Sequence, residues 1–138
     1  MNSYTVKMLF PTCIHEYVYD NFAEKELINF CYKQKEENPD GLFNSNRGGW
    51  HSPFFNLVKD DNIISKTLSK GLGKSIFTSI DSNLGVNVQY WIMINPVNSY
   101  NTSHTHPDAH LSGVMWIKSK KNSGDLLLNN PFDFTGYV

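Results

Sequence analysis

A chain of 138 residues has the length for one hydrophobic core and falls short of two comfortable ones, so it reads as a single domain over residues 1–138. Apolar residues make up 40% and aromatics 14%, which excludes a disordered chain and favours a core of large side chains, often a β-rich one. A net charge of −1 leaves no field to gather nucleic acid or an anionic membrane surface, and no run approaches the roughly 18 apolar residues of a membrane helix.

Taken in chain order, residues 4–10 predict a strand stopped by Pro11, which cannot donate to a ladder. Cys13 and Cys31 lack CxxC spacing, and no signal peptide precedes them, which argues against a disulfide scaffold or a structural zinc site and for a reducing cytoplasm. Asn21 is placed to cap a helix over residues 22–37, with Leu27, Ile28, Cys31 and Tyr32 on one face, and Pro39-Asp40-Gly41 ends it. A second helix is predicted after Asp60 or Asp61 from Ile64, Leu68, Leu72 and Ile76 at i, i+4 spacing, although Gly71 and Gly73 weaken its middle. From residue 86 to 95 the chain alternates, with Val86, Val88, Tyr90, Ile92 and Ile94 on one side and Asn87, Gln89, Trp91, Met93 and Asn95 on the other. That is the clearest strand pattern. Pro96-Val97-Asn98-Ser99 predicts a turn, residues 111–118 a second strand, Lys120-Lys121-Asn122-Ser123-Gly124 a further turn, and residues 125–129 a short third strand. Helices first and consecutive strands after them give an α+β class, with helices covering one face of an antiparallel sheet.

Three of the five histidines, His104, His106 and His110, fall within seven residues between two predicted strands. In an extended chain His104 and His106 project to one side, roughly 6.5 to 7 Å apart, and can share one metal ion. Neutral imidazole suits iron, zinc, nickel and copper alike. Two readings stay open: a metal chelate, or surface histidines in a polar loop with Ser103, Thr105 and Asp108 as neighbours. His106-Pro107-Asp108 also spells the first two members of a two-histidine, one-carboxylate triad. Proline is confined to edges, bulges and strand ends, so His104 with His106 is the better pair and Asp108 the lesser candidate. His110 is expected at the rim, and His15 and His51, without partners nearby in sequence, as ordinary polar or half-buried residues.

Several blocks in order resemble a family of 2-oxoglutarate- and iron(II)-dependent oxygenases common in marine bacteria and their phages, distantly similar to prolyl 4-hydroxylases. They are Leu9-Phe10-Pro11-Thr12, Ser45-Asn46-Arg47-Gly48-Gly49-Trp50-His51-Ser52, Tyr100-Asn101-Thr102-Ser103-His104-Thr105-His106-Pro107 and Leu111-Ser112-Gly113-Val114. The resemblance implies N-terminal helices packed on a double-stranded β-helix, or jelly-roll. It also implies iron(II) and 2-oxoglutarate as cofactors and hydroxylation of a C–H bond in a small-molecule or peptide substrate. His104 then takes the place of the first metal histidine, and Tyr100 and Asn101, which open that block, stand at the cofactor. His106 falls where the family pattern has aspartate, a departure that makes the site more positive and leaves Asp108 as the nearest carboxylate.

The family's distal histidine and the basic residue that grips 2-oxoglutarate come from a later part of the sequence. Here no histidine follows His110, Arg47 is the sole arginine, and Lys118, Lys120 and Lys121 cluster at a turn. Only four or five strands are predicted against the usual eight. The expectation is therefore a partial β-helix, C-terminally incomplete and with little turnover of its own, or a compact version whose third ligand is His51 or Asp108. The alternative function is a non-catalytic cupin-like module binding a metal or small ligand, with Tyr90, Trp91 and Trp116 lining a pocket. A complementing chain or a homo-oligomer would cover unpaired sheet edges.

Overall fold

A stripe of apolar side chains three and four residues apart gives helix α1 (Glu24–Glu37) its buried face, with Leu27 and Cys31 enclosed and Phe30 half-buried beside them. The computed structural model describes residues 14–20, 22–75 and 87–129, so the predicted strand over residues 4–10 and the expected cap Asn21 lie outside the described residues. Helix α1 begins two residues later than its periodicity suggests. Ala23 stands at its N-cap without a side-chain cap, and Glu24 and Glu26 in the first turn complement the helix dipole instead. Tyr32, expected on the inner face, is rotated out to 48% exposure.

Helix α2 (Ile63–Ser75) starts where Asn62 caps it. The Asn62 Oδ1 accepts the backbone N–H groups of Ile64 and Ser65 at 2.9 and 3.0 Å, satisfying two donors that a helix start leaves free. Ile64 is buried and Leu68 packs against the core, while the Leu72 side chain and Ile76 lie outside the described residues. Gly71 has a packing reason: a Cβ there would run into the Tyr19 ring.

Between and after the helices, two stretches of chain run antiparallel as one interrupted ribbon. The first carries β1 (Asn46–Arg47), β2 (Trp50–His51) and β3 (Phe55–Asn56), and the second carries β4 (Gln89–Tyr90), β5 (Met93–Ile94) and β6 (Tyr100–Asn101). They pair β1 with β6, β2 with β5 and β3 with β4, in the registers Asn46↔Asn101, Trp50↔Ile94 and Phe55↔Tyr90. The single strand expected over residues 86–95 is thus split in two, and the cause lies on the opposite stretch. Ser52, Pro53 and Phe54 face only Trp91 and Ile92, so one residue is in excess, and proline has no N–H to offer a ladder. Ser52, fully buried, bridges the irregularity. Its N–H donates to the Ile92 carbonyl at 3.0 Å, and its hydroxyl accepts the Ile92 N–H at 2.8 Å.

Farther along, Gly48-Gly49 faces the five residues 95–99, which loop out as the predicted turn. That turn closes through Ser99 N–H to the Pro96 carbonyl at 3.2 Å, with Asn98 in the left-handed region at φ 66° and Gly48 opposite at φ 74°. The turn over residues 120–124 also forms, with Ser123 N–H donating to the Lys120 carbonyl at 3.1 Å.

One face of the ribbon carries Trp50, Tyr90 and Ile92, which join Leu27, Cys31 and Ile64 in the core. Among the described residues the architecture is α+β, two helices against short antiparallel ladders, with no closed barrel. Residues 111–118 and 125–129, expected as strands, are not strands. Met115 and Ile117 pack on the core while Val114 and Trp116 point to solvent, so the period-two pattern is present, but no ladder partner stands beside it among the described residues. No helix among the described residues is long and apolar enough to cross a membrane.

Burial gives the core an alkaline signature. Desolvation raises the Cys31 thiol to about 11, partly offset by a backbone hydrogen bond, and burial likewise raises the Tyr90 hydroxyl against the pull of its bonds to Ser65 and Asn62. Both groups hold their protons more tightly folded than unfolded. The Cys31 contribution is therefore complete below the ordinary thiol value of 9.0 and fades as pH rises from there through about 11, and that of Tyr90 fades in the same direction above its ordinary value of 10.0. Urea midpoints measured across that range should fall with pH. In the native protein at pH 8, the Cys31 peptide should take up iodoacetamide far more slowly than in urea, as read by mass spectrometry. Equal labelling rates in both states would contradict the buried placement.

Candidate metal site

The face of the ribbon turned away from the helices carries a row of rings, and strand alternation puts them there. Trp50 enters the core, so its neighbour His51 points to the other side, and Trp91 does the same between Tyr90 and Ile92. His51 is only 2% exposed. Its Nδ1 lies 2.6 Å from the Ser52 carbonyl, which can only accept, so Nδ1 carries the proton. Nε2, 3.2 Å from the Asn44 amide nitrogen, then accepts, and both ring nitrogens are taken by a network that assigns the neutral tautomer.

From His51 the rings continue outward. Trp91 stacks on His51 at 5.6 Å between centroids and 7° between planes, and Phe54 meets both edge-on, at 5.6 Å from His51 and 5.4 Å from Trp91. Trp91 in turn meets His106 at 5.6 Å, and His106 meets His104 at 4.8 Å with the planes 73° apart. The two histidines expected to face one way do come together.

His104 is oriented by the backbone. Its Nδ1 lies 2.7 Å from the Thr102 carbonyl and donates to it, which leaves the Nε2 lone pair directed elsewhere. A second hydrogen bond of this kind is what fixes the tautomer and aim of a metal-ligating histidine. Thr102 is itself tied down, its N–H donating to the Ser45 carbonyl at 2.9 Å. Behind Ser45 stands Asn46, 5% exposed, whose amide donates to the Leu42 and Gly49 carbonyls at 3.1 and 2.7 Å and accepts the Asn44 N–H at 2.8 Å. The 45–52 block and the 100–107 block are thus held against each other.

The other expected residues are arranged less closely. Asp108 is exposed in a turn closed by Ala109 N–H on the His106 carbonyl at 3.1 Å, and His110 is exposed beyond it. Among the described residues, no third His, Cys, Asp or Glu gathers with His104 and His106 into a group of three. Tyr100 and Asn101 sit on β6, both exposed, opposite Arg47 and Asn46, and Asn101 Oδ1 accepts the Ser45 hydroxyl at 3.3 Å. Arg47 is occupied locally, donating to the Asn44 and Asn46 carbonyls and lying 4.8 Å over the Phe43 ring.

His51 departs most from expectation. It is a buried support beneath the ring row, and with both nitrogens engaged it offers no lone pair as a third ligand. The pocket imagined for Tyr90, Trp91 and Trp116 also dissolves. Tyr90 belongs to the core, with its hydroxyl 2.8 Å from Ser65 Oγ and 2.7 Å from the Asn62 amide nitrogen, whereas Trp116 is 59% exposed. A shallow groove of about 400 Å³ runs instead beside α2, along Leu57, Asp60, Asp61, Ser65, Lys66 and Lys70, and includes none of the three.

As a donor set, two imidazoles in contact, one with an oriented free Nε2, fit a divalent transition ion. Comparisons with protein-family models, curated proteins and solved structures returned no match. The functional reading therefore rests on the residues themselves.

Proposed function

We propose that the chain is a 2-oxoglutarate- and iron(II)-dependent dioxygenase of the hydroxylase type, or the N-terminal portion of one, built on a partial double-stranded β-helix. The observation that carries this reading is the contact between His104 and His106, with His104 aimed by the Thr102 carbonyl. Once bound, iron(II) with 2-oxoglutarate would activate dioxygen, the oxidant, one oxygen atom going to succinate as 2-oxoglutarate loses carbon dioxide and the other hydroxylating a C–H bond of a small-molecule or peptide substrate. The chain's own residues bind and orient. His104 and His106 are the metal ligands, Asp108 is the lesser candidate for a carboxylate, and Tyr100 and Asn101 are the cofactor contacts at the end of β6. Trp91 lies against His106 and would cover that side of the site. We place this activity in a reducing cytoplasm, where iron(II) persists and Cys31 stays a thiol.

The test is an anaerobic titration of the full chain with iron(II), with and without 2-oxoglutarate, followed by calorimetry and visible absorption. Iron(II) should bind, and 2-oxoglutarate should tighten it and add a charge-transfer band. Absence of iron(II) binding even with 2-oxoglutarate present would sink the proposal. Because the described residues gather no third ligand, a non-catalytic metal-binding module is the second reading. Iron(II) binding that 2-oxoglutarate leaves unchanged would favour it.

A further inference from the structure

The two histidines are not supported alike. His104 has a hydrogen bond to a backbone carbonyl to set its ring, whereas the His106 ring has, among the described residues, contacts to Trp91 and His104 and no hydrogen bond to either nitrogen. Whatever orients His106 must therefore act through ring packing, and Trp91 is the ring in place to do it. The indole is itself immobilised. His51 lies parallel to it, pinned by Ser52 and Asn44, and Phe54 closes on its edge. Its neighbours Tyr90 and Ile92 supply the core contacts on the opposite face of the ribbon, so a tryptophan at position 91 is not needed to fill the core.

We infer that Trp91 is the positioning residue of His106, transmitting the rigidity of the buried His51 pedestal to a ligand that has no hydrogen bond of its own. This rests on the metal-site reading above and adds to it how the second imidazole is aimed. Loss of preorganisation around a metal ligand lowers affinity by about 10- to 100-fold. Trp91→Leu, which removes the flat ring face, should weaken binding by about tenfold, and Trp91→Phe, which keeps a ring, should retain most of the affinity.

The experiment uses nickel(II) as the probe on the full chain, with calorimetry for affinity and indole fluorescence for proximity. In the unmutated protein nickel(II) should quench the indole emission, and Trp91→Phe should abolish most of that quench, leaving the signals of Trp50 and Trp116. The metal-free His106 ring protons should show an upfield ring-current shift that shrinks to the smaller phenyl effect in Trp91→Phe and disappears in Trp91→Leu. Metal-free melting temperatures separate any folding loss from an affinity loss. A folded Trp91→Leu chain with unchanged nickel(II) affinity overturns the inference, and so does quenching that persists in Trp91→Phe, which can be read even if the leucine variant does not fold. If His104→Ala leaves nickel(II) binding intact, the metal site itself is wrong. If His104→Ala weakens binding and Trp91→Leu does not, only the positioning role fails.

Discussion

Trp50→Ala should destabilise the chain by about 3–5 kcal/mol, the largest effect expected of any single core truncation here. Trp50 is 5% exposed and sits where the ribbon meets α1, and its indole N–H donates to the Asn38 carbonyl at 2.9 Å, just past the helix end. Alanine would leave a cavity among Leu27, Cys31 and Ile92 and take away the partner of that carbonyl. Domains of this size are stable by about 5–15 kcal/mol in all, so a fifth or more of the total is at stake. In urea the midpoint should fall with the slope unchanged. Trp116→Ala provides the contrast. At 59% exposure its loss should stay within about 0.5 kcal/mol, and a Trp50→Ala chain no less stable than Trp116→Ala would refute the placement of the core.

That contrast marks how far the sequence could be read. Trp50 follows Asn46-Arg47-Gly48-Gly49 while Trp116 stands among Val114, Met115 and Ile117, so local hydrophobicity alone would rank them the wrong way round. Legibility was best where the cause of structure is local. The Ile64 and Leu68 spacing located α2, and the alternation through residues 86–95 put Tyr90 and Ile92 on one side and Trp91 on the other, the first of which is the core side. It failed where the cause is distant. The break between β4 and β5 comes from Ser52, Pro53 and Phe54 on the facing stretch, some forty residues earlier in the chain. Residues 111–118 keep the strand pattern, with Met115 and Ile117 inward, yet a strand is defined by its partner as well as by its own period. The jelly-roll expectation turns on such partners.

The site divides in the same way. That His104 and His106 meet follows from period two, a local property. That His51 lies beneath them does not, because it depends on the register of β2 against β5, where His51 faces Met93 two residues past Trp91. A histidine after Gly-Gly-Trp gave no sign of that burial, beyond the fact that a residue next to a core tryptophan in an extended stretch must face the other way.

His104→Ala and His106→Ala should each lower divalent-metal affinity by about a hundredfold or more. Removing a group that merely orients a ligand already lowers affinity by about 10- to 100-fold, and these variants remove the ligand. Each also turns a two-point chelate into a single contact, forfeiting the effective concentration that a second imidazole 4.8 Å away provides. His104→Ala should be the more severe of the two, because His104 is the ring already aimed by the Thr102 carbonyl and so gives up the least freedom on binding. Both residues are at the surface or half-buried, so the metal-free stability of each variant should match the unmutated chain within about 0.5 kcal/mol. Affinity in the unmutated chain should fall toward acid pH as protons compete for both imidazoles, and each single variant should show a shallower slope, having one competing proton fewer. Calorimetric titrations with nickel(II) at several pH values measure both quantities. Equal slopes in the variants and the unmutated chain would mean that the ion is held elsewhere, and that the paired rings are a packing arrangement between two loops.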